Sequence, residues 1–471
     1  MLVLVGTLGL LSVFVVSAVG GGLLMRRRGK QRWFGLVILL EACAAIALQI
    51  ALSTIPFGIG EPLIRVQFWT VLAQTGLAAL TIALATGGIY AIMRLSRLPS
   101  FRLRRWRLPA ATVVLPLIAA TALYGFVRVT TPVRERERDP SRRQITLPQG
   151  FASSIFVQGT IDNPTTIVFG PDGKLYIGDI SGVLWVASDA DHDGRAEKIS
   201  RFADGFSLLV GLAWHDGELF ASSSGKIEAL RDTNNDGIAD QRRLVVRDLP
   251  SMVLKPHSNN GLAFGPDGRL YFGVGSTTAG QVEQNPLAAS ILSVKPDGSD
   301  LKVFARGLGN SFDVAFNADG QLFGGDNSPQ GEQDASGAAA DPPDEFNWLV
   351  EGGHYGFPYF YGDPPDNGGT RGALVTFPAH SVPTGVTFYG GKTYPQDYHD
   401  SGFVTLWGNG QIMRVEVGRG SSGNYLGHAT PFATGFLYPI AVTTGPDGNL
   451  YIADFGTSAV YRITYDPNKA Y

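Results

Sequence analysis

The sequence predicts an all-β six-bladed propeller preceded by an α-helical transmembrane region. Three observations carry this: four apolar runs confined to the first 128 residues, a hairpin motif that recurs six times after residue 150, and opposite charge balances in the two parts. Residues 1–128 hold 13 Lys and Arg against only Glu41 and Glu61, and the remainder holds 25 basic and 39 acidic residues. The net charge of −3 therefore averages two unlike parts. An acidic C-terminal part repels nucleic-acid phosphates and suits divalent cations or neutral substrates.

The apolar runs are 1–25, 34–54, 68–93 and 109–127. Each approaches the roughly 20 residues that a membrane helix needs. Glu41 is the one charged residue within them, and it is either a residue near a helix end or a proton or quinone site. The intervening "RRRGKQR" (26–32) and the six-Arg segment 94–107 belong on the cytoplasmic side, which places both termini outside. The basic cluster follows the first run, which argues for an anchor over a cleaved signal peptide. All seven His lie at 192 or later, so the membrane part has no His pair for haem. The single Cys, Cys43, forms no internal disulfide, and no CxxCH is present.

Residues 129–149 are charged and Pro-containing and read as a linker; 150–471 form the propeller. There "IVFGPDGKLYIGD" (167–179), "LAWHDGELFAS", "LAFGPDGRLYFGV", "VAFNADGQLFGGD" and "VTTGPDGNLYIAD" share one hairpin pattern, with a weaker relative at 386–395. The turn glycines are Gly173, Gly217, Gly268, Gly320, Gly391 and Gly448. About 50 residues of strand and turn per repeat is one four-stranded blade. Residues 328–384 read as an insertion. Phe169, Tyr176, Phe264 and Tyr271 are expected to pack between blades, and Asp179, Asp326 and Asp454 to cap turns.

Two loops share D-x-[DN]-x-D-G-x-x-[DE]: Asp189, Asp191, Asp193 and Glu197 in one, Asp232, Asn234, Asp236 and Asp240 in the other. Alternating oxygen side chains around a turn glycine make a Ca²⁺ loop, although the position-12 Glu of an EF-hand is missing. The alternative is an Asp/Asn turn without metal. One further stretch stands apart. "HSNNGLAFGPDGRLYFGVGS" (257–276) opens with His257, Asn259 and Asn260, a polar head that no other repeat has. An imidazole that titrates near working pH suits a general base.

On these residues, with "LPQGF", "ARGLGNSFDVAFNADGQLFGGDNSPQG" and "DEFNWLVEGGHYGFPYFYG", the chain resembles the glucose/sorbosone dehydrogenases that use pyrroloquinoline quinone (PQQ), over roughly 147–465. The resemblance implies His257 as general base for hydride transfer from sugar to quinone, and Asn310 as a quinone contact. It implies a calcium held by the backbone of Ser328-Pro329. Asn259 and Asn260 would line the pocket. The chain departs from the family where cations are expected. Gly309 stands for an Arg, with Arg306 three residues earlier as a possible substitute, and Gly408 lies where a Lys is expected. Segment 436–442 contains no Arg, and the second-blade Gln is replaced near Ser207. PQQ carries three carboxylates, which such cations would neutralise.

The expected function is thus a membrane-anchored extracytoplasmic dehydrogenase of sugars or aldehydes that uses PQQ and Ca²⁺ and passes electrons to an external acceptor. The alternatives are a non-catalytic calcium propeller that binds carbohydrate or protein, and a metal-dependent hydrolase such as a lactonase. The first needs quinone binding, the second only ligand binding, and the third carboxylates converging on one axial metal.

Overall fold

A computed structural model of the chain describes residues 138–251, 258–278, 280–329, 341–365, 369–421 and 423–468. The four apolar runs, Glu41 and His257 lie outside them. Among the described residues no helix is long and apolar enough to cross a membrane.

After β1 (Phe151–Gln158), the first blade comprises β2 (Pro164–Phe169), β3 (Leu175–Asp179), β4 (Leu184–Ser188) and β5 (Lys198–Ala203). The second has β6 (Gly211–His215), β7 (Glu218–Ser223), β8 (Lys226–Arg231) and β9 (Gln241–Val246). The third has β10 (Asn259–Phe264), β11 (Leu270–Val274), β12 (Ser290–Val294) and β13 (Lys302–Arg306). The fourth has β14 (Val314–Phe316), β15 (Leu322–Asp326), β16 (Asp344–Leu349) and β17 (Val375–Phe377). The fifth has β18 (Pro383–Phe388), β19 (Gly402–Leu406), β20 (Gln411–Arg419) and β21 (Tyr425–Thr434). The last has β22 (Pro439–Thr444), β23 (Leu450–Asp454) and β24 (Ala459–Tyr465), completed by β1, which pairs antiparallel with β24 and closes the ring. The first strand of each blade contacts its counterparts in the two adjoining blades, and these six strands surround the axis.

The hairpin motif explains itself locally. In Gly-Pro-Asp-Gly-x-Leu-Tyr, the Asp accepts a backbone N–H two residues on and the Tyr hydroxyl four residues on. Asp172 takes Lys174 N at 3.2 Å and Tyr176, Asp267 takes Arg269 N and Tyr271, and Asp447 takes Asn449 N and Tyr451. The turn Gly is left-handed in each, as at Gly268 with φ 74°. The strands that follow, β3, β11, β15, β19 and β23, are buried throughout because a blade covers each face. Aromatic rings lock neighbouring blades as expected. Phe169 meets Tyr451 at 4.8 Å, Tyr176 meets Trp214 at 5.0 Å, Phe264 meets Phe220 at 5.0 Å and Tyr271 meets Phe316 at 5.3 Å.

Two readings of the sequence change. Segment 328–384 is not an insertion between blades, since β16 and β17 within it are the outer half of the fourth blade. The relative at 386–395 is not a tight hairpin, because Phe388 and Gly402 are too far apart in the chain for one and a 3-10 turn, Gln396–Tyr398, fills the gap. The segment before β1 is also tied down. Thr146 pairs with Thr434, and Arg143 donates to the carbonyls of Gly435 (2.8 Å) and Phe436 (2.9 Å).

Candidate functional site

Because strands alternate in direction, the inner strands all enter at one end of the ring, here called the mouth, and the hairpin glycines lie at the other. Segments that open at the mouth include Ser258–Asn260, Asn310–Asp313, Ser381–Val382 and Leu437–Tyr438, all at the heads of inner strands. Residues 327–329 and Trp407 leave second strands at the same end. The described part of the third blade's polar head, Ser258–Asn260, therefore lies at the mouth.

Side chains at these heads clasp the next blade. Four inner strands carry a bulge near their start, at Pro164/Thr166, Asn259/Leu262, Pro383/Val386 and Pro439/Ala441. A bulge re-aims a side chain out of the ladder. Thr165 donates to the Leu209 carbonyl, Asn260 Nδ2 donates to the Ser311 carbonyl at 3.0 Å, and Thr384 donates to the Pro439 carbonyl at 3.2 Å.

The predicted asparagines divide. Asn259 is fully buried, and its amide is spent on the second blade. Its Nδ2 donates to Ser222 Oγ (2.7 Å) and to the carbonyls of Ser223 and Lys226, and its Oδ1 accepts from Gly225 N (2.8 Å). Asn259 is therefore an inter-blade clasp and does not line a pocket. Asn260 and Asn310 are brought together, with Asn260 Nδ2 donating to Asn310 Oδ1 at 2.8 Å. Asn260 Oδ1 is buried and meets no donor among the described residues, and neither does Asn327 Oδ1, next to Ser328. Buried carbonyl oxygens without a donor cost free energy.

Buried acids support this wall: Asp326, already singled out by the repeat, with Asp344 and Glu345, which the residue patterns did not reveal. Asp326 and Glu345 are cross-strand partners, and Asp344 precedes Glu345. Asp326 accepts from Gly309 N and Asn310 N, Asp344 from Ser328 N and Val382 N, and Glu345 from Asn347 Nδ2. Burial raises Asp326 and Glu345, reinforced by the charge of Glu345 and Asp344 at Asp326 and by that of Asp344 at Glu345, and burial pushes Asp344 up to about 6. Burial likewise lifts Asp313 to about 7; its carboxylate receives Val314 N and Val386 N and so joins the fourth blade to the fifth. Asp454 repeats the role of Asp326 in the last blade, accepting from Leu437 N and Tyr438 N. Asp179 caps its own turn through Val183 N and Trp185 Nε1.

The cationic positions are closed. A Cβ on Gly309 would lie 2.6 Å from the Asn327 carbonyl oxygen, and one on Gly408 would lie 2.0 Å from that of His380. Arg306 does not replace them. It ends β13, the outermost strand of its blade, exposed and three strands from β10, roughly 14 Å at the usual strand spacing. There burial of His354, with the Arg306 charge beside it, holds that imidazole below its usual pKa.

The calcium-type loops lie at the opposite end. In loop 189–197, oxygens of Asp189, Asp191, Asp193 and Glu197 fall within 4.8 Å of one another. Asp189 Oδ2 accepts from Gly194 N and Asp193 Oδ1 from Arg195 N. Loop 232–240 repeats the pattern, with Asp232 Oδ2 accepting from Gly237 N and Asp236 Oδ1 from Ile238 N. In both, the remaining oxygen of the first Asp is buried and unpartnered among the described residues. Each loop also reaches the preceding outer strand: Ala196 N donates to Phe156 of β1 at 2.9 Å, and Ala239 N to Phe202 of β5 at 2.8 Å.

Residues 137–343 match the model of a domain of unknown function, DUF7133. An uncharacterized protein of Borreliella burgdorferi is 24% identical over 360 residues, which is 68% of this chain and 90% of that protein. An oxidoreductase of Thermus thermophilus described as a glucose dehydrogenase superposes with TM-score 0.55 at 24% identity, covering 67% of this chain and 100% of that one. The holo PQQ domain of pyranose dehydrogenase from Coprinopsis cinerea gives 0.58 at 16% identity, covering 69% and 98%. The PQQ-bound aldose sugar dehydrogenase of Streptomyces coelicolor gives 0.54 at 17%, covering 68% and 100%. The likeness establishes the fold: a six-bladed propeller of the kind these sugar dehydrogenases use.

Proposed function

We propose that the chain is a membrane-anchored, extracytoplasmic quinoprotein-type dehydrogenase of sugars or aldehydes, with its site at the propeller mouth. The observation that carries this reading is the pair of unpartnered buried carbonyl oxygens, Asn260 Oδ1 and Asn327 Oδ1, beside the His257 head and the Ser328-Pro329 step. Oxygen donors of this type suit calcium. The ion would be held by the Ser328-Pro329 backbone with Asn327, and a bound quinone would contact Asn260 and Asn310. With Gly309 and Gly408 unable to carry side chains, calcium is the main positive charge available to a tricarboxylate. Quinone affinity should therefore depend on calcium more steeply than in a site with Arg and Lys clamps.

When bound, PQQ supplies a two-electron hydride acceptor. The chain's own part is to position and deprotonate. His257 takes the hydroxyl proton as the neighbouring C–H leaves as hydride. Asn310 is fixed by Asn260 Nδ2 and by Asp326, which holds its backbone N–H at 2.8 Å. That anchoring on strands, not on loops, limits its movement. Reducing equivalents then pass to an external acceptor or the quinone pool. The absence of side-chain cations at Gly309, Gly408 and 436–442 favours a second reading, a calcium propeller that binds carbohydrate without oxidising it. Full-length protein in detergent, given PQQ, Ca²⁺, a dye acceptor and a panel of aldoses, separates the two. The dehydrogenase reading expects turnover that His257→Ala abolishes while PQQ binding persists.

A further inference from the structure

We propose that Arg143, in the strap 139–147 that precedes β1, is a positioning residue for the mouth. It fixes the crossing 435–438, which carries the chain from β21, the outermost strand of the fifth blade, to β22, the innermost strand of the sixth. Because β22 starts at the mouth, this crossing lies there. The strap grips it at several points. Thr146 pairs with Thr434, and Ile145 and Leu147 pack against the core that holds Phe436. Arg143 spans two carbonyls: its Nε donates to Gly435 at 2.8 Å and its Nη2 to Phe436 at 2.9 Å. Glycine at 435 admits the strap, since a Cβ there would lie 2.1 Å from the Gln144 carbonyl oxygen.

The crossing has a repeat-equivalent. Arg-Gly-Leu-Gly-Asn (306–310) leads from β13 into the fourth blade, and Thr-Gly-Phe-Leu-Tyr (434–438) leads from β21 into the sixth. Each has a left-handed glycine, Gly307 (φ 77°) or Gly435 (φ 102°), and then a buried apolar residue, Leu308 or Phe436. In each, the last two amides are held by the Asp that ends the second strand of the blade being entered. Asp326 takes Gly309 N and Asn310 N, and Asp454 takes Leu437 N and Tyr438 N. Tyr438 thus stands where Asn310 stands. The two crossings differ in what holds their carbonyls. Before β14, Tyr355 N donates to the Arg306 carbonyl and Phe357 N to that of Gly307, both at 2.9 Å. Before β22, the donors are the guanidinium nitrogens of Arg143.

The strap therefore does for 435–438 what the fourth-blade loop does for the crossing that carries Asn310. Arg143 holds the carbonyl half and Asp454 the amide half. Arg143 is half-buried and pairs with no carboxylate among the described residues, since Asp139 beside it is spent on Ser141 and Arg142. Its charge is committed to main-chain carbonyls, and such charge-assisted bonds are roughly twice as strong as neutral ones. Segment 436–442 has no Arg of its own, but the strap brings one to its backbone from 292 residues earlier in the chain. The guanidinium acts through the crossing and touches no ligand. A ligand that meets this wall of the mouth is held less firmly once Arg143 is lost. The inference rests on the proposed reading only for the identity of that ligand.

Hydrogen exchange read by mass spectrometry on full-length protein in detergent tests this, with PQQ titration in Ca²⁺ as a second arm. In Arg143→Ala, the amides of Leu437 and Tyr438 are expected to exchange about ten-fold faster or more, while those of Gly309 and Asn310 stay near wild type. Arg143→Lys, which keeps the charge but loses the fork, should restore part of the protection. Asp139→Ala, a strap change that leaves both Arg143 bonds in place, should alter neither pair. Should Arg143→Ala melt early, Arg143→Lys carries the test, with faster exchange than wild type confined to Leu437 and Tyr438 at the wild-type melting temperature. Unchanged exchange at these two amides, or acceleration shared equally by Gly309 and Asn310, overturns the positioning role. PQQ affinity is expected to fall several-fold in Arg143→Ala and to recover in part in Arg143→Lys, and wild-type affinity in Arg143→Ala overturns the link to the ligand. Absence of PQQ binding in the wild type sinks the oxidation reading alone, because the exchange result still decides the strap.

Discussion

The two acidic loops give the account its sharpest quantitative consequence. In loop 189–197, four carboxylates lie within 4.8 Å of one another. Each pair then repels by about 0.9 kcal/mol even at the dielectric constant of water, before salt screening. Four charges make six such pairs, whereas loop 232–240, with Asn234 in place of an acid, carries one charge fewer. A bound Ca²⁺ would outweigh this repulsion by attracting every carboxylate and would give the unpartnered Oδ1 of Asp189 and Asp232 a partner. For an exposed site with a dissociation constant of about 0.1 mM, 10 mM Ca²⁺ adds about 2.7 kcal/mol of stability. That corresponds to a rise of roughly 5 °C or more in melting temperature for a domain of this size. Asp189→Asn and Asp232→Asn keep an oxygen for Gly194 N and Gly237 N but remove one charge from each loop. The double variant should lose most of the calcium shift, yet melt no lower than wild type in EGTA, because repulsion has been relieved. Calorimetric melts in EGTA, Ca²⁺ and Mg²⁺ check this. Equal shifts with Mg²⁺, or a full shift in the double variant, would refute the reasoning.

Other consequences are open to direct measurement. Asn259→Ala removes the shorter of two acceptors of Gly225 N and the donor to Ser222 Oγ and to the carbonyls of Ser223 and Lys226, so a loss of about 3 kcal/mol in denaturant unfolding is expected; ligand affinity of the folded fraction should not change. Asp313 ionises near its usual 3.8 when unfolded but only near 7 when folded. Its contribution is therefore complete below about pH 4 and is lost as pH rises through 7, and Asp344 acts in the same sense up to about 6. Asp313→Asn should lower stability overall but flatten this decline, and an unchanged pH slope would contradict the assignment. Gly408→Lys, offered as a restored cation, should instead destabilise, because its Cβ meets the His380 carbonyl.

Much of the fold was legible because local chemistry repeats. The Pro-Asp-Gly turns bind their own Tyr and backbone, so each motif announces a hairpin regardless of its surroundings. The calcium-type loops were legible for the same reason. Long-range choices were not. Asn259 and Asn260 are adjacent in sequence, but alternation turns one toward the second blade and the other toward Asn310. Arg306 is near Gly309 in sequence but belongs to the outermost strand. The acids Asp313, Asp344 and Glu345 carry no spacing signal, since their partners are backbone amides up to 73 residues away.

On the proposed reading, the mouth holds a quinone through calcium in place of side-chain cations. Its most direct test is PQQ titration of the full-length protein in detergent, with and without Ca²⁺. Saturable binding in the micromolar range is expected with calcium, at least ten-fold weaker in EGTA and retained in His257→Ala. Absence of binding at micromolar PQQ with calcium present would contradict it.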